Sequence, residues 1–177
     1  RPDWLAQAEP YLRGGGATRN VADEVEWSAD PEQRHEAGTP NVLGAIALAA
    51  ACEALTATGW TPIVRHEERL TARLRAGLPE GVRELALWGP DHPRIGVVSF
   101  TVAGHPAREV AEILSTEYGI GVRDGRFCAH PFVRALLGED GDCADGTGAA
   151  VRASIGIGTT EEHIDRLITA LHDIVRR

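Results

Sequence analysis

The chain falls into three regimes of hydrophobic patterning. Residues 1–40 are irregular and Gly-rich, with a Gly14-Gly15-Gly16 turn and a polar stretch through Pro31, and they hold too few apolar residues to form a core alone. From Val42 to Thr58 the chain is rich in Ala and Leu and apolar nearly all round, which predicts a buried helix. Asn41 suits its N-cap and Gly59 stops it. A second, amphipathic helix is expected from about Pro62, with Ile63, Leu70 and Leu74 on one face and Arg65, Glu68 and Arg75 elsewhere.

The period then changes. Residues 82–88 and 95–102 form short β-rich runs divided by Gly89-Pro90, and they are expected to pair as antiparallel neighbours. Pro106 opens a helix that carries Val110, Ile113 and Leu114 and ends before Gly119. Residues 120–123 read as a strand, 130–137 as a short helix, 138–148 as a flexible loop and 151–157 as a strand. Thr159 or Thr160 caps a last helix that buries Ile164, Leu167, Ile168, Leu171 and Ile174. The Thr160-x-x-His163 spacing lacks the acidic residue of a full capping box. From about residue 80 onward the pattern predicts an α+β sandwich, with helices on one side of a small, mostly antiparallel sheet.

Composition narrows the function classes. The 177 residues are 43% hydrophobic and 25% charged, as in a globular chain. The longest apolar run, near residues 45–52, is far short of the ~20 residues that span a bilayer, so no membrane segment is expected. Eighteen basic residues against 26 acidic ones give a net charge of −8, and without a basic stripe this argues against nucleic-acid binding. The opening Arg-Pro-Asp-Trp has no signal-peptide pattern, and three cysteines without paired spacing point to a reducing, cytoplasmic setting. There is no Met and no Lys. All 18 basic residues are Arg, which removes amine chemistry except at the N-terminus.

Three segments combine glycine, a polar reagent and an abrupt change of period. They are residues 34–41 (Arg-His-Glu-Ala-Gly-Thr-Pro-Asn), residues 122–131 (Val-Arg-Asp-Gly-Arg-Phe-Cys-Ala-His-Pro) and residues 151–156 (Val-Arg-Ala-Ser-Ile-Gly). In this order they resemble the C-terminal part of the class V aminotransferase family. The likeness is strongest to cysteine desulfurases that carry an R-x-G-x-x-C-A-x-P loop and an R-A-S strand. The Gly14-Gly15-Gly16 turn is similar to that family's glycine stretch downstream of the cofactor lysine. The resemblance implies a pyridoxal-phosphate enzyme roughly twice this length, of the aspartate-aminotransferase-like fold. Residues 1–60 would be the end of its large α/β cofactor domain and a linking helix, and residues 61–177 its small α+β domain. The Schiff-base lysine would lie upstream, so the sequence reads as a fragment.

The residues of those segments suit definite roles. A hydroxyl and backbone N–H groups at a helix N-terminus suit a phosphate. The resemblance gives Thr39 that role toward the cofactor of a partner subunit, which implies a homodimer. Cys128 sits in a loop with Arg123, Arg126 and His130 nearby in sequence, a setting that favours thiolate, the nucleophilic form. The resemblance implies that Cys128 takes sulfur from the amino-acid substrate as a persulfide and passes it to a sulfur-acceptor protein. Arg152 alternates with the apolar Val151, Ala153 and Ile155 and shares a face with Ser154 and Gly156, which leaves room above the strand for a ligand. The resemblance makes it the carboxylate anchor, and Arg123 and His130 are assigned to substrate binding beside it.

This chain has Arg126-Phe127 where resembling enzymes usually have paired histidines, and Asp124 where they commonly have Thr. Class V aminotransferase or other carbon–sulfur lyase chemistry stays open as an alternative, and so does a non-catalytic α+β interaction domain, given the absence of Lys. Cys52 is expected in a helix core, and Cys143 is given no role. Residues 139–146 imitate a calcium loop without its fifth and twelfth ligands. Cys128 and His130 lack a second close pair for zinc, so no metal is expected.

Overall fold

A computed structural model describes residues 2–86, 89, 92–137 and 148–177. The chain divides into two compact units, residues 1–57 and 58–177.

The first unit is more regular than its composition suggests. It contains helix α1 (Pro2–Gln7), a 3-10 turn (Gly15–Ala17), an antiparallel hairpin of β1 (Thr18–Val21) and β2 (Val25–Trp27), helix α2 (Pro31–Arg34) and helix α3 (Val42–Thr58). Polar and backbone bonds between distant residues hold these elements, so no hydrophobic period announces them. Asp30 caps α2 by accepting the N–H groups of Glu32 and Gln33 at 2.9 and 3.0 Å. The Arg34 guanidinium donates to the Ala6 carbonyl, and His35 Nε2 meets the Leu5 carbonyl at 2.9 Å. The glycine stretch lies against residues 36–38. A Cβ on Gly14 would stand 2.0 Å from the Ala37 oxygen, and one on Gly16 2.6 Å from the Glu36 oxygen. Close backbone approach therefore explains these glycines.

Helix α3 begins as expected, with Asn41 Oδ1 accepting the Gly44 N–H at 2.9 Å. Its expected burial is corrected, because none of its residues is buried. Leu43 is 81% and Leu48 66% exposed, and Cys52, expected in the core, is exposed as well. A helix that is apolar all round carries no stripe to select one covered side.

The second unit holds a four-stranded antiparallel sheet in the order β3-β4-β6-β5. The strands are β3 (Val82–Glu84), β4 (Val97–Val102), β5 (Arg123–Gly125) and β6 (Ala150–Ser154). Helices α4 (Trp60–Gly77), α5 (Ala107–Tyr118) and α7 (Glu161–Val175) join it in one core that includes Leu70, Phe100, Leu114, Val151, Leu171 and Ile174. The α+β fold expected is the fold observed. The short helix α6 (His130–Leu137) lies outside that cluster, and Arg83 donates to its Leu136 carbonyl at 2.6 Å.

Three local expectations shift. Helix α4 starts at Trp60, since Pro62 is tolerated within a first turn whose N–H groups have no helical acceptor. The strand expected at 120–123 forms at Arg123–Gly125, and Ile120 and Val122 line a cleft of about 230 Å³ with Ala153 and Ile155 instead of joining the ladder. A capping box does form at α7, because His163 Nδ1 accepts the Thr160 N–H at 3.2 Å, as a carboxylate would. The expected loop at 138–148 lies, but for Gly148, outside the described residues, as do Cys143 and the calcium-like stretch. No single described helix is long and apolar enough to cross a membrane.

Candidate active site

Strand β6 runs between β4 and β5, so Arg152 stands opposite Ser99 on one side and Arg123 on the other. Val151 and Ala153 point into the core, and the alternation turns Arg152 and Ser154 to the opposite face. Two arginines at directly opposed cross-strand positions repel each other unless an anion lies between or above them. Among the described residues, the buried Nε of Arg152 has no hydrogen-bond partner. A buried donor left unmade is costly, so this face is receptive to an acceptor such as a carboxylate.

The thiol is delivered by the segment between β5 and α6. Gly125 leaves the strand with φ +107°, a conformation glycine adopts freely. The Arg126 Nε–H donates to the Gly148 carbonyl at 2.9 Å and pins the segment beside β6. Phe127 and Cys128 then both adopt left-handed backbone, with φ of 54° and 57°. The Ala129 N–H closes this turn on the Arg126 carbonyl at 2.8 Å. Left-handed backbone costs a non-glycine residue about 1–2 kcal/mol, so two in succession are strain concentrated where Cys128 sits. The Cys128 thiol is free and exposed. The Phe127 ring lies against the Arg152 guanidinium, with 5.3 Å from Cζ to the ring centroid. His130 follows as the first residue of α6 and is exposed.

Arg123, Arg152 and the Cys128 turn therefore gather on one side of the second unit. Thr39 belongs to the first unit and is exposed just before α3. The N–H groups of Val42, Gly44 and Ala45 are already bonded to the Pro40 carbonyl, the Asn41 side chain and the Asn41 carbonyl. The hydroxyl of Thr39, more than those backbone donors, is what this helix start presents. Phe127 and Ser99 escaped the sequence reading. No cluster of three or more potential metal ligands occurs among the described residues.

The second unit thus combines an antiparallel sheet, two arginines opposed across its β5–β6 ladder and a turn whose Phe127 meets one of them and whose next residue is Cys128. The chain belongs to the aminotransferase class-V family, whose model matches residues 1–167. It is 38% identical over 175 residues to a cysteine desulfurase of Escherichia coli O139:H28 (strain E24377A / ETEC), a match covering 97% of this chain and 40% of that relative. The chain thus spans about 40% of the length of the curated relatives it matches. Among solved structures, the apo cysteine desulfurase from Thermococcus onnurineus NA1 matches with a TM-score of 0.78 at 34% identity, over 99% of this chain and 42% of that one. The cysteine desulfurase CsdA (S-sulfonic acid) from Escherichia coli matches with a TM-score of 0.74 at 26% identity, over 99% of this chain and 41% of that one.

Proposed function

We propose that the chain forms part of a cysteine desulfurase-like enzyme, in which Arg152 binds the carboxylate of an amino-acid substrate and Cys128 accepts its sulfur as a persulfide. The single observation that carries this reading is the buried, unpartnered Arg152 Nε beside the turn that bears Cys128. Arg123 adds positive charge across the ladder, and His130 stands two residues beyond the thiol, where it serves substrate binding.

Pyridoxal phosphate is the cofactor this reading implies, and the residues present fit its margins. The Thr39 hydroxyl suits a phosphate of a partner subunit's cofactor, and the unpartnered Arg152 donor suits the substrate carboxylate. An amine for covalent attachment is not among these residues, since the chain has no Lys. When bound, the group supplies an electron sink at the substrate. The work of this chain is binding, orientation and acceptance of sulfur at Cys128 Sγ. A homodimer belongs to the reading, supported by the exposed apolar surface of α3 next to Thr39. A cytoplasmic setting suits the free thiols of Cys52 and Cys128, and a sulfur-acceptor protein would use the exposure of Cys128. The absence of Lys favours a second reading, a non-catalytic α+β domain.

The test uses the holoenzyme in which a lysine-bearing cofactor domain accompanies this chain. L-Cysteine should add one sulfur to the Cys128 peptide, read by mass spectrometry, and Cys128→Ser should abolish it. Arg152→Lys keeps the charge but loses the planar fork, so kcat/KM should fall by about 1.5–3 kcal/mol, the range for hydrogen bonds to charged groups. An intact persulfide yield in Cys128→Ser, or an unchanged kcat/KM in Arg152→Lys, would overturn the assignment of that residue.

A further inference from the structure

We propose that Phe127 is a positioning residue that holds the Arg152 guanidinium beside the Cys128 turn, so that anion capture and thiol placement form one unit. The inference rests on the reading of Arg152 as an anion anchor and extends it to a residue with no polar chemistry of its own. Phe127 is attached to both halves of the site. The Arg152 guanidinium carbon lies over its ring, 5.3 Å from the centroid, and its backbone is the first left-handed residue of the turn whose second is Cys128.

The strain locates the purpose of the ring. A turn with two left-handed positions is most cheaply built from glycine or asparagine, and Phe is a poor choice on conformational grounds. What Phe adds is a π face. A guanidinium over an aromatic face is held by the ring quadrupole, and the contact is stronger where water is excluded. With the ring against the guanidinium, the N–H groups turned away from it are the ones left for a ligand. Bidentate recognition of a carboxylate uses two such donors held in one plane. Behind the turn, Arg126 bonds the Gly148 carbonyl and the Ala129 N–H bonds the Arg126 carbonyl, so the ring is mounted on a closed loop tied beside β6. Consecutive Cα atoms are only about 3.8 Å apart. Cys128 is therefore carried by the same turn as the ring that meets Arg152, so an anion drawn to that cation is drawn to the segment that bears the thiol.

The experiment compares iodoacetate, an anion, with neutral iodoacetamide as alkylating probes of Cys128 in the holoenzyme that carries this chain. Rates are read by peptide mass mapping with exposed Cys52 as internal reference, and far-UV circular dichroism checks the fold of each variant. The iodoacetate-to-iodoacetamide rate ratio at Cys128 should exceed that at Cys52. Phe127→Leu and Phe127→Gly should each lower it about three-fold, the size of a cation–π contact of moderate exposure, and Phe127→Tyr should restore it. Glycine is the informative variant, because it relieves the left-handed strain while deleting the ring. If the turn alone mattered, Phe127→Gly would keep the ratio, and the proposal would be overturned. It would equally fail if Phe127→Tyr behaved like Phe127→Leu. Arg152→Gln separates the two levels of inference. If it leaves the ratio unchanged, the anion anchor itself is wrong. If it lowers the ratio while Phe127→Leu and Phe127→Gly do not, only the positioning role of Phe127 falls.

Discussion

In the second unit, Phe100, Leu70, Leu74, Leu114 and Leu171 are wholly buried in one core shared by the sheet and three helices. In the first unit the described buried residues are Pro10, Ala17 and Ser28, and the longest helix buries none. The second unit is specified by apolar surface removed from water, which is non-directional and leaves a periodic trace in sequence. The first is specified by backbone contacts and side-chain-to-carbonyl bonds such as Arg34 to Ala6 and Gly16 to Ala37, which are directional and leave almost none. The two halves of the candidate chemistry divide the same way. Thr39 hangs on the backbone-held unit, and the Arg152 face is cantilevered from the core.

The sharpest way to break this contrast is to remove core volume. Phe100 pairs with Val151 and is fully buried, so Phe100→Ala loses a ring's transfer free energy and leaves a cavity. The expected cost is about 3–5 kcal/mol in urea unfolding followed by far-UV circular dichroism. Such a loss is a large part of the stability of a typical domain. A cost below about 1 kcal/mol would show that the second unit is not held by this core.

The same physics decides what the sequence could reveal. Helices α5 and α7 were readable to within a residue or two because Val110 with Leu114, and Ile164 with Leu167, Leu171 and Ile174, keep helical spacing toward one core. The face that Arg152 takes was readable because its strand alternates cleanly with buried Val151 and Ala153. The hairpin of β1 and β2 was not, since Asn20 pairs with Glu26 and Val21 with Val25 on exposed positions. The strand at 120–123 was misplaced because Ile120 and Val122 are partly buried without belonging to the ladder, and periodicity reports burial, not pairing. Phe127 was missed because its role comes from a contact with a residue 25 positions away and from a positive φ that no local pattern requires.

A second, smaller effect probes the first unit. Gly14 has φ −163°, extended backbone that any residue adopts, so Gly14→Ala carries no conformational penalty of its own. The whole effect must come from contact, since the new Cβ would stand 2.0 Å from the Ala37 oxygen. Overpacking of this kind costs about 1–3 kcal/mol. It should appear locally, as faster amide hydrogen exchange at Gly16, whose N–H bonds the Ala37 carbonyl, with no change at the amides of β4. Equal acceleration in both places would mean that the two units unfold as one, and the contrast between them would be only descriptive.

The smallest effect is expected on α3, and it is the most discriminating. Leu48 is 66% exposed, so Leu48→Ser in dilute protein removes little buried surface and should move the unfolding free energy by less than about 0.5 kcal/mol. The proposed homodimer makes a different demand on the same residue. If a second copy covers α3, the native protein gains stability by mass action as concentration rises, because the partner binds the folded state and not the unfolded one. The midpoint of thermal unfolding should then climb with protein concentration in the unsubstituted chain and climb less in Leu48→Ser, since an exposed serine hydroxyl would have to be desolvated at the interface. A flat concentration dependence in both proteins would remove α3 from any self-association, and Thr39 would lose the partner subunit that its assigned role requires. A large loss in Leu48→Ser at every concentration would point the other way, to a helix already covered within a single chain, and the division between a core-built and a backbone-built unit would have to be redrawn at α3.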